Sequence, residues 1–148
     1  MKIAIGADHA GFALKQHLVA SLTRLGHQID DLGTHSKEPV DYPEICAQVA
    51  RAVVEHRADR GIVIGGSGQG EQIAANKVAG IRAALCADAQ TAEGARKWND
   101  ANVLALSLRA TSPAELTEIL DAWFAAGPSD DADDRANVAH LAEVEGEQ

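Results

Sequence analysis

Ser67 and Glu71 stand four positions apart in a run with four glycines, Gly65-Gly66-Ser67-Gly68-Gln69-Gly70-Glu71, directly after the apolar triplet Ile62-Val63-Ile64. A strand, a glycine-rich turn and a helix N-terminus in succession leave free N–H groups that favour an anion. A carboxylate beside such donors can abstract a proton next to a carbonyl: Glu71 would be the base, and Ser67 with the loop N–H groups would stabilise the developing oxyanion. An unshifted glutamate, near ~4.3, is a poor base at neutral pH, so burial would have to raise it. A phosphate- or nucleotide-binding loop would look similar, although neither G-x-G-x-x-G nor G-K-[ST] occurs. Gly6-Ala7-Asp8-His9-Ala10-Gly11 forms a second cluster. Asp8 could bind sugar hydroxyls, shuttle a proton or simply cap a helix, and His9 could donate to phosphate or act as an acid. Arg109 has the planar fork that suits a phosphate.

The elements that must position these residues alternate. Strands are expected at residues 2–7, 28–32, 61–64, 82–86 and 102–106, and helices at 11–25, 44–56, from near Glu71, 88–98 and 113–126. Ser112-Pro113-Ala114-Glu115 carries a capping-box start, and Gly127-Pro128 a stop. This pattern predicts an α/β, Rossmann-like, doubly wound five-stranded parallel sheet with helices on both faces and a C-terminal extension. Ligands of such sheets bind beyond the carboxyl ends of the strands, so Asp8, His9, Ser67 to Glu71, Asp88, Ser107 and Arg109 matter most. Residues 1–128 read as the domain. Residues 129–148 read as an acidic tail with a last helix at roughly 132–145, in reach of a partner subunit.

Composition narrows the classes. The net charge of −9 argues against a nucleic-acid partner. No apolar run approaches the ~20 residues that span a bilayer, so no membrane partner is expected. Cys46 and Cys86 have neither metal-ligand nor disulfide spacing, which fits a reducing cytoplasm.

Taken together, these motifs resemble the family of type B ribose-5-phosphate isomerases and galactose-6-phosphate isomerase subunits. The likeness rests on Gly6 to Gly11, Asp41-Tyr42-Pro43, Gly65 to Glu71, Ile73-Ala74-Ala75-Asn76-Lys77, Gly80-Ile81-Arg82-Ala83, Asn99-Asp100-Ala101-Asn102 and Arg109. It implies aldose–ketose isomerisation of a small phosphorylated sugar through a cis-enediolate, without cofactor or metal. It also implies a homodimer, or a tetramer built from it, with active sites at the subunit interface. Members with a cysteine base carry it where this chain has Gly65, so the resemblance is to the glutamate branch. Glu71 is then the base, Ser67 the enediolate stabiliser and Asp8 the handler of hydroxyl protons. His9 and Arg109 hold phosphate, Tyr42 and Asn99 contact substrate, and Gly66, Gly68 and Gly70 shape the anion loop.

Two departures bear on the substrate. Members that open a furanose ring commonly carry His where this chain has Trp98, and a Trp cannot exchange a proton with a ring oxygen. In the C-terminal segment, where ribose-phosphate members clamp phosphate with Arg or His, the stretch 129–137 is mostly acidic here and offers only Arg135. Ribose 5-phosphate and ribulose 5-phosphate, or close relatives, are the expected pair. A tetrose 4-phosphate, which cannot close to a furanose, is the alternative, with Trp98 expected to narrow the pocket. A non-catalytic sugar-phosphate-binding module is the rival of another class.

Overall fold

The computed structural model describes residues 1–146. In chain order the elements are β1 (Lys2–Ala7), α1 (Phe12–Arg24), β2 (Gln28–Asp31), α2 (Tyr42–Val54), β3 (Arg60–Gly65), α3 (Gln69–Asn76), β4 (Ala83–Leu85), α4 (Ala89–Asn99), β5 (Val103–Ser107), α5 (Pro113–Ala125) and α6 (Ala132–Gly146). The strands form one parallel sheet in the order β2-β1-β3-β5-β4. The chain first winds outward from β1 to β2, then crosses back to β3. The C-terminal ends of β1 and β3 therefore flank the switch point where such sheets open a crevice. Among the described residues no helix is long and apolar enough to cross a membrane.

Side chains alternate between the sheet's faces, and here size alternates with them. Ile3, Ile5, Ile62, Ile64, Leu104 and Leu106 meet Leu18, Leu22, Leu116, Ile119 and Trp123 on the α1, α4 and α5 side. Ala4, Val63, Val103 and Ala105 meet Val49, Ala52, Val53, Ala74 and Ala75 on the α2 and α3 side. The small residues let α2 sit close. A Cβ added at Gly6 would come within 2.8 Å of Ile45 Cγ2 and 2.9 Å of Val49 Cγ2. Gly6 is thus a packing residue at the edge of the first motif.

The expected helix signals operate. Ser112 and Glu115 form a reciprocal capping box at α5, and Asp88 forms one with Thr91 at α4. Asp88 is therefore spent on starting α4, and the Thr91 N–H and hydroxyl hold its carboxyl below the usual range. Several boundaries move, three of them where the site is positioned. Helix α2 begins at Tyr42, two residues before the expected start, α3 begins at Gln69 rather than near Glu71, and β4 has three residues instead of five. The early start of α3 follows from Gly68, whose φ of 77° turns the chain into the helix.

The shortness of β4 also has a local cause. Its residues alternate their backbone groups between β5 and the open edge, and Ala83 faces outward. There the Asn76 side chain replaces a neighbouring strand: its Oδ1 accepts from Ala83 N at 2.8 Å and its Nδ2 donates to Ala83 O at 3.0 Å. Asn76→Ala removes both of these bonds and leaves Ala83 O only the longer bond from Gln72 Nε2, at 3.4 Å. It should cost about 1–3 kcal/mol in denaturant-unfolding experiments, and an unchanged midpoint would show that water replaces the amide fully.

Candidate active site

The site is built where β1, β3 and β5 end. The segment after β5 is stitched to the end of β3: Leu108 N donates to Gly65 O at 2.9 Å and Arg109 N to Gly66 O at 3.0 Å. The Ser107 hydroxyl donates to Gly66 O at 3.1 Å and accepts from Ala110 N at 3.1 Å. Ser107 thus serves the loop rather than a ligand. These bonds bring Arg109 over Gly66, where an added Cβ would lie 3.6 Å from the guanidinium Cζ, Nε and Nη2.

With the carbonyls of Gly65 and Gly66 engaged, the N–H groups of Gly66, Ser67 and Gly68 find no acceptor among the described residues. Ser67 Oγ accepts from Gln69 N at 3.3 Å, which leaves its own proton free to donate. Glu71 lies in the first turn of α3 and is only 4% exposed. Its carboxyl group occupies the place a side chain at Gly65 would take: a Cβ there would collide with both oxygens and Cδ. Burial pushes its pKa up, the helix N–H of Glu71 itself pulls it down, and the negative charge of Asp8 adds to the rise. The condition for a competent base, burial, is therefore met.

Asp8 precedes α1, whose N-cap is Gly11 with no side-chain cap, and its charge acts on Glu71. Its Oδ1 accepts from Ala10 N at 3.0 Å and Gly11 N at 3.2 Å, while no donor among the described residues reaches Oδ2. His9 follows, its Nδ1 accepting from Val40 N at 3.1 Å. Tyr42, the first residue of α2, lays its ring against Gly70, where a Cβ would come within 2.6 Å of Cζ and 2.9 Å of Oη. Cys46 is buried and close enough for Glu71 and Asp8 to act on it. Burial first, then those two charges, push its thiol up to about 12, so it is a neutral wall behind the base. Cys86, on the other side of the sheet, is pushed up to about 11 by burial and then by Asp88.

Asp8, His9, Tyr42, Ser67, Glu71, Arg109 and the loop glycines thus gather at one end of the sheet. Trp98, Asn99 and Arg135 do not join them. Helix α4 starts beyond the C-terminal end of β4 and runs back for 11 residues, about 16 Å. Asn99 therefore ends at the opposite edge, where its carbonyl accepts from Arg82 Nε at 3.0 Å, just before β4. Trp98 is 52% exposed and shares a cleft with Asn99, Val138 and Leu141. Arg135 is tied to Asp130 at 2.6 Å. Within one chain the path of α4 therefore separates Trp98 and Asn99 from Glu71. The Val40 N–H escaped the sequence because only a tertiary neighbour, His9, gives it a role.

This arrangement has known counterparts. A sequence model of the ribose/galactose isomerase family matches residues 3–141. The chain belongs to the ribose/galactose isomerase family. It is 47% identical over 125 residues to the ribose-5-phosphate isomerase B of Escherichia coli, covering 84% of each chain. To that of Mycobacterium leprae it is 40% identical over 146 residues, covering 98% of this chain and 90% of the other. The structure of the Clostridium thermocellum ribose-5-phosphate isomerase B superposes with a TM-score of 0.96 at 43% identity and 99% coverage of both chains. That of Mycoplasma genitalium, described with ribulose-5-phosphate bound, gives 0.92 at 34% identity, covering 99% of this chain and 97% of that one. As in those family structures, the fold is a parallel α/β sheet of Rossmann type.

The contact between Gly65 and Glu71 generates a test within this family fold. Gly65→Ala puts a methyl group where the carboxylate lies and should lower kcat at least about 100-fold by displacing the base. The overpacked chain should stay folded, losing about 1–3 kcal/mol on thermal unfolding. Unchanged kcat in a folded Gly65→Ala protein would show that Glu71 acts from elsewhere.

Proposed function

We propose that this chain interconverts a phosphorylated aldose and its ketose, ribose 5-phosphate and ribulose 5-phosphate, at the site between β1 and β3. The observation that carries the reading is the Glu71 carboxylate, buried against Gly65 beside the three free N–H groups of Gly66, Ser67 and Gly68. Glu71 removes the proton from C2 of the aldose. The electrons move onto the C1 oxygen, and the Ser67 hydroxyl and loop N–H groups hold the cis-enediolate. Asp8 carries the proton of the C2 hydroxyl to the C1 oxygen, and protonated Glu71 returns its proton to C1. One proton thus moves from C2 to C1 and one from O2 to O1, which balances the isomerisation without cofactor or metal. Arg109 and His9 hold the phosphate, and Tyr42 closes the wall over Gly70. The substrate names borne by the family relatives support the pentose assignment.

The same reading includes a homodimer with its active sites at the interface. A groove of about 760 Å³ runs along the open edge of β4, flanked by Gln72, Asn76, Gly94, Trp98 and Leu141. Ile73, Trp98, Leu141 and Val144 are exposed apolar side chains in α3, α4 and α6, the composition of an interface core. A second copy docked there would bring its own Trp98, Asn99 and Arg135 toward Glu71, which the host chain's own α4 cannot do. The acidic tail, as α6, then belongs to the partner-binding face. Two buried free thiols suit a reducing compartment such as the cytoplasm.

Trp98 supports a second reading. If it lines the partner's site, an indole stands where ring-opening members have imidazole, which favours a tetrose 4-phosphate that needs no ring opening.

These readings are tested by substitution, pH dependence and substrate choice. Glu71→Gln should lower kcat by about 10²- to 10⁴-fold and stop solvent deuterium from entering C1 or C2. Retained exchange would sink the base assignment. In wild type, activity should fall as pH drops through the raised Glu71 value, above the ordinary ~4.3. A folded-state value above the unfolded one favours folding below the unfolded value and loses that favour as pH rises through the folded one. Glu71→Gln should therefore melt no lower than wild type at neutral pH. On a panel of C4, C5 and C6 sugar phosphates, Trp98→His should shift kcat/KM from tetrose toward pentose phosphates, and an unaltered ratio would remove Trp98 from the specificity argument.

A further inference from the structure

We propose that the loop between β2 and α2 fixes His9 in the tautomer with its proton on Nε2, and so sets it as a neutral hydrogen-bond donor to the substrate's phosphate rather than as a proton-transfer acid. The role given to the donor rests on the isomerase reading above, whereas the tautomer rests on geometry alone.

Val40 N lies 3.1 Å from His9 Nδ1. A backbone N–H can only donate, so Nδ1 must present its lone pair, and the neutral ring then carries its hydrogen on Nε2. The imidazolium form would set an N–H on Nδ1 against the N–H of Val40, donor facing donor. Within this contact His9 has one proton to offer, through Nε2, and no second site from which to relay it. Ring opening by His9 is thereby disfavoured.

The contact is held from both ends. At the start of the loop, Ala7 N donates to Gly33 O at 2.8 Å and Thr34 N to Ala7 O at 2.7 Å, which binds the loop to the residue preceding Asp8. Gly33 N also donates to Asp31 Oδ1 at 3.0 Å, and both oxygens of Asp31 accept from Lys15 Nζ at 2.7 Å. Lys15 is fully buried, so loosening Asp31 would strand a charge in the interior. At the far end, Tyr42 opens α2 with its ring on Gly70. Between these anchors Pro39, with its restricted φ, precedes Val40 and delivers its N–H.

Long-range ¹H–¹⁵N spectra of the wild-type protein at neutral pH read the tautomer directly. His9 should show a pyrrole-type Nε2 and a pyridine-type Nδ1, and a pyrrole-type Nδ1, or an averaged pair, overturns the proposal. Val40→Pro deletes the N–H. It should mix the tautomers and raise KM for the sugar phosphate about three- to tenfold, the loss of one neutral hydrogen bond, with kcat within about twofold, while Val40→Ala leaves both unchanged. A fixed Nε2–H tautomer in a protein that washes no deuterium into the sugar would support the proposal for His9 and sink the isomerase reading instead.

Discussion

The site depends on one steric exchange: the strand β3 ends in a residue with no side chain, and the Glu71 carboxylate fills that space. A carboxylate at the mouth of a crevice would keep its water and remain a weak base. Seated against Gly65, it loses that water to burial, and the nearby charge of Asp8 opposes its ionisation further. The oxyanion side follows from the same few residues. While the β5 loop satisfies the carbonyls of Gly65 and Gly66, the N–H groups of Gly66, Ser67 and Gly68 find no acceptor among the described residues. Preorganised donors of this kind need no reorientation as charge develops. The buried carboxylate and the N–H groups without an acceptor among the described residues are thus two consequences of how β3 ends.

Gly68 joins this exchange to the helix. Its positive φ starts α3 at Gln69 and sets Glu71 in the first turn, able to reach back over Gly65. A start two residues later would carry the carboxylate away from the strand. The asymmetry of the sheet adds a second condition. The strand residues that face α2 and α3, such as Ala4, Val63, Val103 and Ala105, are smaller than the isoleucines and leucines of the other face. Helix α2 therefore packs close, with Cys46 buried in that layer and the Tyr42 ring against Gly70.

Most of the fold was legible in the sequence because its signals are local. Apolar runs of strand length, the Ser112–Glu115 box and the Gly127-Pro128 stop each act within a few residues of themselves. The composition of the loop was legible too, a hydroxyl, a carboxylate and four glycines in seven positions, a set that fits an anion-binding loop as well as an enolising one. What stayed hidden depends on neighbours distant in sequence. Gly6 and Gly65 both read as motif glycines, yet one admits Ile45 and Val49 while the other admits a carboxylate. Asn76 stood in the sequence only as part of a family motif and is in fact the stand-in neighbour of β4. Ser107 followed a strand as a ligand residue would, and its hydroxyl is consumed by Gly66 and Ala110.

Trp98 and Asn99 mark the largest gap between chain order and space. A motif treats Glu71 and Asn99 as members of one set, but a parallel α/β unit sends every helix back against its strand, so a residue at a helix C-terminus lies at the edge opposite the crevice. Arg82 locks that placement through the Asn99 and Asp100 carbonyls, and the buried Arg96 secures Asp100 and Ala101 from beneath. No rotamer change can carry Asn99 around the sheet. If both residues serve one reaction, the chain that supplies Glu71 and the chain that supplies Asn99 must be different copies, and the apolar rim of α6 beside the open edge of β4 is the surface on which they would meet.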